Sequence, residues 1–190
     1  MKHPVVSVLM LLLGMTAAWG SAVDPWLSKG RAPDSTEKRL AEIRASERRK
    51  IPLDVALVTN QDNYSRSGPI PVTIIVTNLF DPPLVLNSRM LINFPRLPGE
   101  VYFRILDPDG RPLRMKRLVT PLALSEEDFV RLTRGRSIQR TVDLADLYDI
   151  TRKGTYILDV CYHNEVDQIV NNLRAWTGIV ASDVVKIDVN

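Results

Sequence analysis

Asp159, Cys161 and His163 are the residues of this chain whose types and spacing are best suited to chemistry. They alternate with apolar residues in a β-like segment, and this alternation places them together on one face of a strand. Neighbours on such a face are about 6.6 Å apart, so a carboxylate, a thiolate and an imidazole can converge on one ion. A Cys/His pair suits Cu(I) or Zn(II), and the imidazole can also activate the thiolate.

A structural interpretation of the same three residues is simpler. Cys161 fits a small, half-buried position, and His163 fits the end of a strand. Ligand-type residues often acquire this spacing along a strand by chance. We therefore predict no bound metal and no cofactor, and metal binding by Asp159, Cys161 and His163 is kept as an alternative.

The usual catalytic motifs do not occur in the sequence. Its histidines are His3 and His163, so it has no His-Glu-x-x-His helix to bind catalytic zinc. Gly135-Arg136-Ser137 is only part of a Gly-x-Ser-x-Gly nucleophile elbow. It falls in a tight, hairpin-like polar turn (Thr133 to Arg136) between two predicted strands, the first of which begins at Phe129. The nine glycines are scattered singly, which leaves no glycine loop for a phosphate. The sequence predicts no catalytic residues and a protein that is not an enzyme.

Residues 1–22 have the features of a signal peptide. Lys2 gives a short positive start, and an apolar run covers Val5 to Ala18. That run is shorter than the ~20 residues needed to span a bilayer, and small residues suited to a signal peptidase follow it. We predict cleavage after Gly20 or Ala22, export to the periplasm or the extracellular space, and no membrane span afterwards. An uncleaved membrane anchor is the alternative.

The formal charge of +3 is concentrated in residues 23–50, which we interpret as a lead-in and a charged helical arm. Asp34-Ser35-Thr36-Glu37 gives a capping-box pattern at the start of the helix, and Pro52 ends it because the residue before a proline leaves helical geometry. Residues 51–190 contain nearly equal numbers of acidic and basic side chains, which argues against nucleic acid as a partner. Cys161 is the only cysteine, so the fold contains no internal disulfide.

Residues 51–190 have the texture of an antiparallel β protein. Apolar and polar residues alternate in short runs separated by turn residues, with no helix between consecutive runs. The main predicted strands are Leu53–Thr59, Val72–Asn78, Val101–Leu106, a basic edge strand at Arg111–Leu118, Ile138–Leu144, Tyr156–Tyr162 and Val180–Val189. Seven to nine such strands predict an all-β fold, an immunoglobulin-like antiparallel β-sandwich preceded by the short charged helix.

Several local motifs carry a family resemblance. They are Arg134-Gly135-Arg136-Ser137, Val142-Asp143-Leu144, Tyr148-Asp149-Ile150, Gly154-Thr155-Tyr156 and Trp176-Thr177-Gly178. In these motifs the chain resembles the immunoglobulin-like β domain that precedes the catalytic domain of secreted deuterolysin-type and peptidyl-Lys metalloendopeptidases. The resemblance implies the fold and an exported setting. It does not imply proteolysis, because the His-Glu-x-x-His helix of those peptidases has no counterpart here.

The connection from His163 to Gly178 is the predicted place for recognition. Ile169, Val170 and Leu173 make it more apolar than a linker requires, and sandwich folds often bind through end loops. The alternative is that these residues fold back as a short helix over the core, to which Trp176 belongs.

The predicted function is that of an exported, non-catalytic binding module. Its partner is a protein or a component of the cell envelope, held through loops or through a strand edge. A standalone inhibitor or pro-domain-like partner of a secreted metallopeptidase is one alternative, and the metal-binding protein is the other. The sequence leaves the oligomeric state open.

Overall fold

The computed structural model describes residues 52–94 and 99–190. The predicted signal peptide (1–22) and the lead-in with its charged helix (23–50) lie outside the described residues. Within the described ranges, no helix has the length and apolar character needed to cross a membrane.

Strands dominate the described residues, which confirms the prediction of an all-β protein. The strands are β1 (Leu53–Thr59), β2 (Asn63–Tyr64), β3 (Pro71–Asn78), β4 (Leu84–Asn87), β5 (Val101–Leu106), β6 (Phe129–Leu132), β7 (Ser137–Asp143), β8 (Gly154–Asn164), β9 (Ile169–Val170), β10 (Leu173–Arg174), β11 (Gly178–Ala181) and β12 (Val185–Val189). In the part of the chain that the structure describes, helical structure is limited to a single turn, α1 (Leu144–Leu147), and a 3₁₀ turn at Glu126–Asp128.

The strands of residues 52–94 and 99–190 form two larger sheets and two small ones. A three-stranded antiparallel sheet has the order β1-β3-β7. In the five-stranded sheet, β8 pairs with β5 on one side and with β11 and β12 on the other, and β2 pairs with β12 in parallel. The pairs β4-β6 and β9-β10 complete the set. The long strand β8 is therefore the centre of its sheet.

Alternate residues of both larger sheets meet in one core. Leu53, Val55 and Leu57 of β1 belong to the same buried cluster as Val72, Ile74 and Val76 of β3 and Tyr156, Leu158, Val160 and Tyr162 of β8. The period of two that is visible in the sequence turns these side chains to one face of each strand. Burial of each one stabilises the fold by about 1.5–3 kcal/mol.

The segment from Phe129 to Asp143 corrects a sequence interpretation. Its two strands were predicted on either side of a tight, hairpin-like turn, but β6 pairs with β4 and β7 pairs with β3. The turn is attached to Asn78 at the end of β3. The Asn78 amide N–H donates to the Arg136 carbonyl (3.0 Å), and its side chain donates to the Leu132 carbonyl (2.9 Å). These bonds hold the turn against β3, so that the chain passes from one sheet to another.

Two predicted strands differ from the structure: one is not formed, and the other is divided into two. Arg111–Leu118 makes only isolated bridges, one from Pro112 to Leu106 and one from Met115 to Tyr148. Pro112 has no N–H to donate to a continuous ladder. The predicted final strand Val180–Val189 is divided into β11 and β12, because Ser182 turns its hydroxyl to accept from the Val160 N–H (3.1 Å).

The connection after β8 contains no helix, so the helical alternative for it is wrong. It forms the small hairpin β9-β10. Asn171 and Asn172 at its tip have φ angles of 50° and 64°. Asparagine tolerates this left-handed region better than most residues, and tight two-residue hairpin turns require it.

Candidate functional site

Asp159, Cys161 and His163 lie on the face of β8 that points away from the core, and each has a different partner. Asp159 is directly opposite Arg104 of β5, and its side chain is 2% exposed. The Arg104 Nε donates to Asp159 Oδ1 (2.8 Å), and Nη2 donates to Oδ2. This bidentate pair raises the pKa of Arg104 and occupies both carboxylate oxygens.

Cys161 is a buried free thiol beside Tyr102. Burial raises the pKa of the Cys161 thiol and also that of the Tyr102 hydroxyl. Because the thiolate is the nucleophilic and metal-binding form, a raised pKa makes both roles unfavourable near neutral pH.

His163 is paired with a residue of the loop that follows β8. Its Nε2 lies 3.1 Å from Glu165 Oε1, which is exposed at the surface. In residues 52–94 and 99–190 no group of three or more His, Cys, Asp or Glu side chains is arranged to hold a metal ion. The structure thus places Asp159, Cys161 and His163 on one face but does not make them converge.

The predicted partner-binding residues of the β9-β10 hairpin divide into exposed and packed side chains. Ile169 is 58% exposed, whereas Val170 is buried and Leu173 packs beside it. Both contact a small apolar cluster that contains Val85, Phe129 and Ala175. Ile169 is therefore the one residue of the three that is free to contact a partner.

Trp176, predicted as core, packs against the main cluster from its edge. Its ring stacks on Tyr162 with the centroids 6.0 Å apart. The ring also lies so close to Gly178 that a Cβ at that position would come within 2.8 Å of it. Gly178 has a φ of 147°, so the backbone and the space both favour glycine there.

A cleft beside β7 is the feature that the sequence did not reveal. Its volume is about 340 Å³, within the range of small ligand pockets. Apolar side chains and four charged ones line it: Leu91, Ile92, Val119, Val142 and Leu147 with Arg117, Arg140, Asp143 and Asp146. Its walls come from three separate stretches of the chain, and no local pattern shows that they meet.

One wall of the cleft is positioned by a buried carboxylate. Glu100 is 4% exposed and accepts hydrogen bonds from the Leu91 N–H (2.7 Å), the Arg89 guanidinium and the Asn87 side chain. This network holds the irregular segment that contains Met90, whose φ is 48°. The side chains of Leu91 and Ile92 are thereby fixed against the cleft.

The opposite wall is β7 with the turn α1 that follows it. Asp143 caps α1 by accepting from the Ala145 N–H (2.9 Å), and it also accepts from the Ile70 N–H (2.8 Å). Arg140 joins the two walls, because its Nη1 donates to the carbonyls of Met90 (2.9 Å) and Arg89 (3.2 Å). The cleft is therefore built by hydrogen bonds on both sides.

The outer edge of β7 has no strand partner among the described residues. Hydrogen bonds flank the β3-β7 ladder at both ends, from the Asn78 N–H to the Arg136 carbonyl and from the Leu144 N–H to the Ile70 carbonyl. Backbone groups alternate between the two sides of a strand, so residues 138, 140 and 142 bond to β3. Ser137, Gln139 and Thr141 consequently present their backbone N–H and C=O groups to the open edge.

Two cations and two carboxylates line the cleft, namely Arg117 and Arg140 with Asp143 and Asp146. Arg117 forms no ion pair within the described residues, and the Nε and Nη2 groups of Arg140 have no partner there. Asp143 and Asp146 place negative charge at the α1 end.

No known protein-family profile matches this chain, and comparison with curated proteins gives no match. The cleft and the open edge of β7 are therefore the features from which its function is inferred.

Proposed function

We propose that this chain is an exported binding module, built as an immunoglobulin-like β-sandwich, that binds an extended segment of a protein or cell-envelope partner along β7. The observation that carries the proposal is the row of outward backbone groups at Ser137, Gln139 and Thr141 beside the cleft. An added strand would satisfy these groups by main-chain hydrogen bonds, which is how strand addition gives affinity.

The sandwich assignment is supported by the shared core and by a corner near the start of β8. Side chains of the β1-β3-β7 sheet and of the β8 sheet belong to one buried cluster. The Tyr156 hydroxyl donates to the Arg152 carbonyl four residues upstream (2.9 Å). Immunoglobulin-like domains commonly carry a tyrosine bonded in this manner. Export is supported by the signal-peptide features of residues 1–22.

Specificity would come from the side chains of the added strand. Strands pair about 4.8 Å apart and turn alternate side chains to opposite faces. Every second side chain of the partner would therefore enter the cleft over Leu91, Ile92 and Leu147. The intervening side chains would lie next to the polar outer row of β7, where Thr141 bonds to Thr73 (2.8 Å).

A secreted metallopeptidase is the specific partner that the family resemblance favours. Two of the motifs that carry the resemblance bracket β7, namely Arg134-Gly135-Arg136-Ser137 and Val142-Asp143-Leu144. An inhibitor or pro-domain-like role would use the same edge. Such a partner would be captured by the wild-type chain from an exported protein fraction and lost when the edge is blocked.

Replacement of Gln139 by proline tests the edge. The Gln139 N–H points outward, so Gln139→Pro removes an edge donor without removing a bond to β3, and edge strands tolerate such a proline. The probe for this test is the fluorescently labelled peptide acetyl-Thr-Val-Thr-X-Thr-Val-Thr-amide, with Glu, Gln or Lys at X, which represents the added strand. Fluorescence anisotropy should show binding of this series to the wild type and at least about tenfold weaker binding to Gln139→Pro.

Gln139→Thr is the matched control, since it changes the same side chain and keeps the N–H. It should bind the peptides as the wild type does. Methylated peptides give a second test that does not depend on the variant folding. In an antiparallel arrangement, N-methylation of the two Thr residues beside X removes edge bonds, whereas N-methylation of X does not. Equal binding of the two methylated forms, or no binding of any peptide, contradicts the proposal.

A further inference from the structure

We infer that the strand bound at β7 is acidic: it carries Asp or Glu opposite Arg140 and an apolar residue two positions away, opposite Val142. This inference rests on the proposed binding at the β7 edge and specifies the chemistry of the partner. It is drawn from the position of Arg140, the charges around the cleft and the way in which the open edge would pair with a second copy.

Arg140 is placed to bind a carboxylate at the mouth of the cleft. It pairs with Ile74 on β3, so its side chain starts on the core-facing side of the sheet, and it lines the cleft. Its Nη1 is used by the carbonyls of Arg89 and Met90. These two bonds fix the guanidinium plane, while Nε and Nη2 remain unused within the described residues. Two parallel donors in this arrangement match a carboxylate.

Charge along the cleft changes from one end to the other. Arg140 is the cation at one end. The α1 end has two carboxylates, Asp143 and Asp146, against one cation, Arg117, which is held there because the Lys116 N–H donates to the Leu147 carbonyl (2.8 Å). A carboxylate is therefore favoured opposite Arg140, and a second carboxylate opposite Val142 is disfavoured. An apolar side chain at that position would instead contact Val142 and Leu147. Residues on one face of a strand are about 6.6 Å apart, which gives the spacing of two positions.

A second copy of this chain fits the edge poorly. Arg140 is the central residue of Ser137–Asp143. Antiparallel pairing of two β7 strands about their centres would place one Arg140 directly opposite the other. Like charges in this position are destabilising. The same residue that attracts an acidic strand thus opposes pairing of the protein with itself.

The test compares the three peptides that differ only at X, each with Val two positions from X on the same face. The wild type should bind the Glu peptide at least about tenfold more tightly than the Gln peptide, and the Lys peptide most weakly. Arg140→Glu should reverse this order and prefer the Lys peptide. Arg131→Glu is the matched control: Arg131 is exposed on β6 and does not line the cleft, so this variant should retain the preference for Glu.

The outcomes separate the partner chemistry from the site itself. Binding of the Glu and Gln peptides with equal affinity, abolished by Gln139→Pro, overturns the acidic preference and leaves edge binding intact. If Arg131→Glu loses the preference for the Glu peptide as much as Arg140→Glu does, the acidic preference assigned to Arg140 is also overturned. The loss would then come from the net charge of the protein and not from Arg140. Absence of binding by all three peptides overturns both proposals. If Arg140→Glu does not fold, the affinities of the three peptides for the wild-type protein decide whether an acidic strand is preferred.

Discussion

Glu100 is the buried charged residue on which the cleft wall depends most. Its carboxylate receives donors from Asn87, Arg89 and the backbone N–H of Leu91, and its own carbonyl accepts from the His163 N–H (2.7 Å). Arg89 is also largely buried, with 19% of its side chain exposed. Removal of the carboxylate would leave a buried guanidinium and a buried amide without their acceptor, which is costlier than loss of a surface pair.

Replacement of Glu100 by alanine should therefore reduce the free energy of unfolding by about 3–5 kcal/mol. Urea unfolding followed by circular dichroism measures this difference. Glu127→Ala is the control, because Glu127 is exposed and has no hydrogen-bond partner in the described chain, and it should change stability by less than about 0.5 kcal/mol. Equal stability of the two variants would show that Glu100 does not have the structural role assigned to it.

At the scale of single residues, the sequence predicted which face of a strand a residue occupies better than which other residues it contacts. Alternation correctly places Asp159 and Cys161 on the outward face of β8. It cannot supply Arg104, which comes from β5 and meets Asp159 through the register of two strands distant in sequence. The prediction for Ile169, Val170 and Leu173 was limited in the same manner, because Val85 and Phe129, which cover Val170, lie far away in the chain.

The open edge of β7 is protected at its centre by a charge. Ile138 and Val142 lie on the same side as Arg140, and all three face the core side of the sheet. Edge strands that expose a continuous apolar row tend to pair with one another, and charged residues in the row prevent it. Arg140 therefore protects the edge of β7 from pairing with a second copy, and this role does not depend on contact with a ligand.

Replacement of Arg140 by valine should promote self-association through β7. The variant would have three successive apolar side chains along one side of an unpaired strand. Size-exclusion chromatography with light scattering, over increasing protein concentration, should show dimers or larger species in excess of those of the wild type. Arg140→Lys keeps the charge and should behave as the wild type does. Identical masses for Arg140→Val and the wild type at every concentration would contradict this role.

At the scale of elements, local pattern predicted strands but not their pairing. Phe129–Leu132 and Ser137–Asp143 are strands as expected, since β-branched and alternating residues favour extended backbone. The polar turn between them resembles a hairpin turn, yet Asn78 captures it and separates the strands into different sheets. The cleft depends on this separation, because it places β7 at an edge. The sequence therefore predicted that the protein could bind a partner through a strand edge, but it did not identify which edge.

For the whole molecule, the five tyrosines share a property that connects packing to pH. Burial raises the pKa of Tyr64, Tyr102, Tyr156 and Tyr162 above the ordinary value and raises that of Tyr148 to about 12. Several phenols also donate to oxygen acceptors, for example Tyr162 to the Asn87 carbonyl (2.8 Å) and Tyr64 to Asn60 Oδ1 (2.7 Å). A phenolate has no proton to donate, so ionisation both charges the core and breaks these bonds.

Stability should consequently fall at alkaline pH. Because the folded pKa values lie above the ordinary value near 10, the stabilisation is fully present below about pH 10 and is lost as the pH rises to about 12. For Tyr148 alone the slope is about 1.4 kcal/mol per pH unit within that window. Absorbance at 295 nm should show late tyrosine ionisation that coincides with loss of the circular dichroism signal, and Tyr148→Phe should lose stability less steeply. Ionisation of all five tyrosines near pH 10, with the β signal unchanged, would contradict a core closed over these rings.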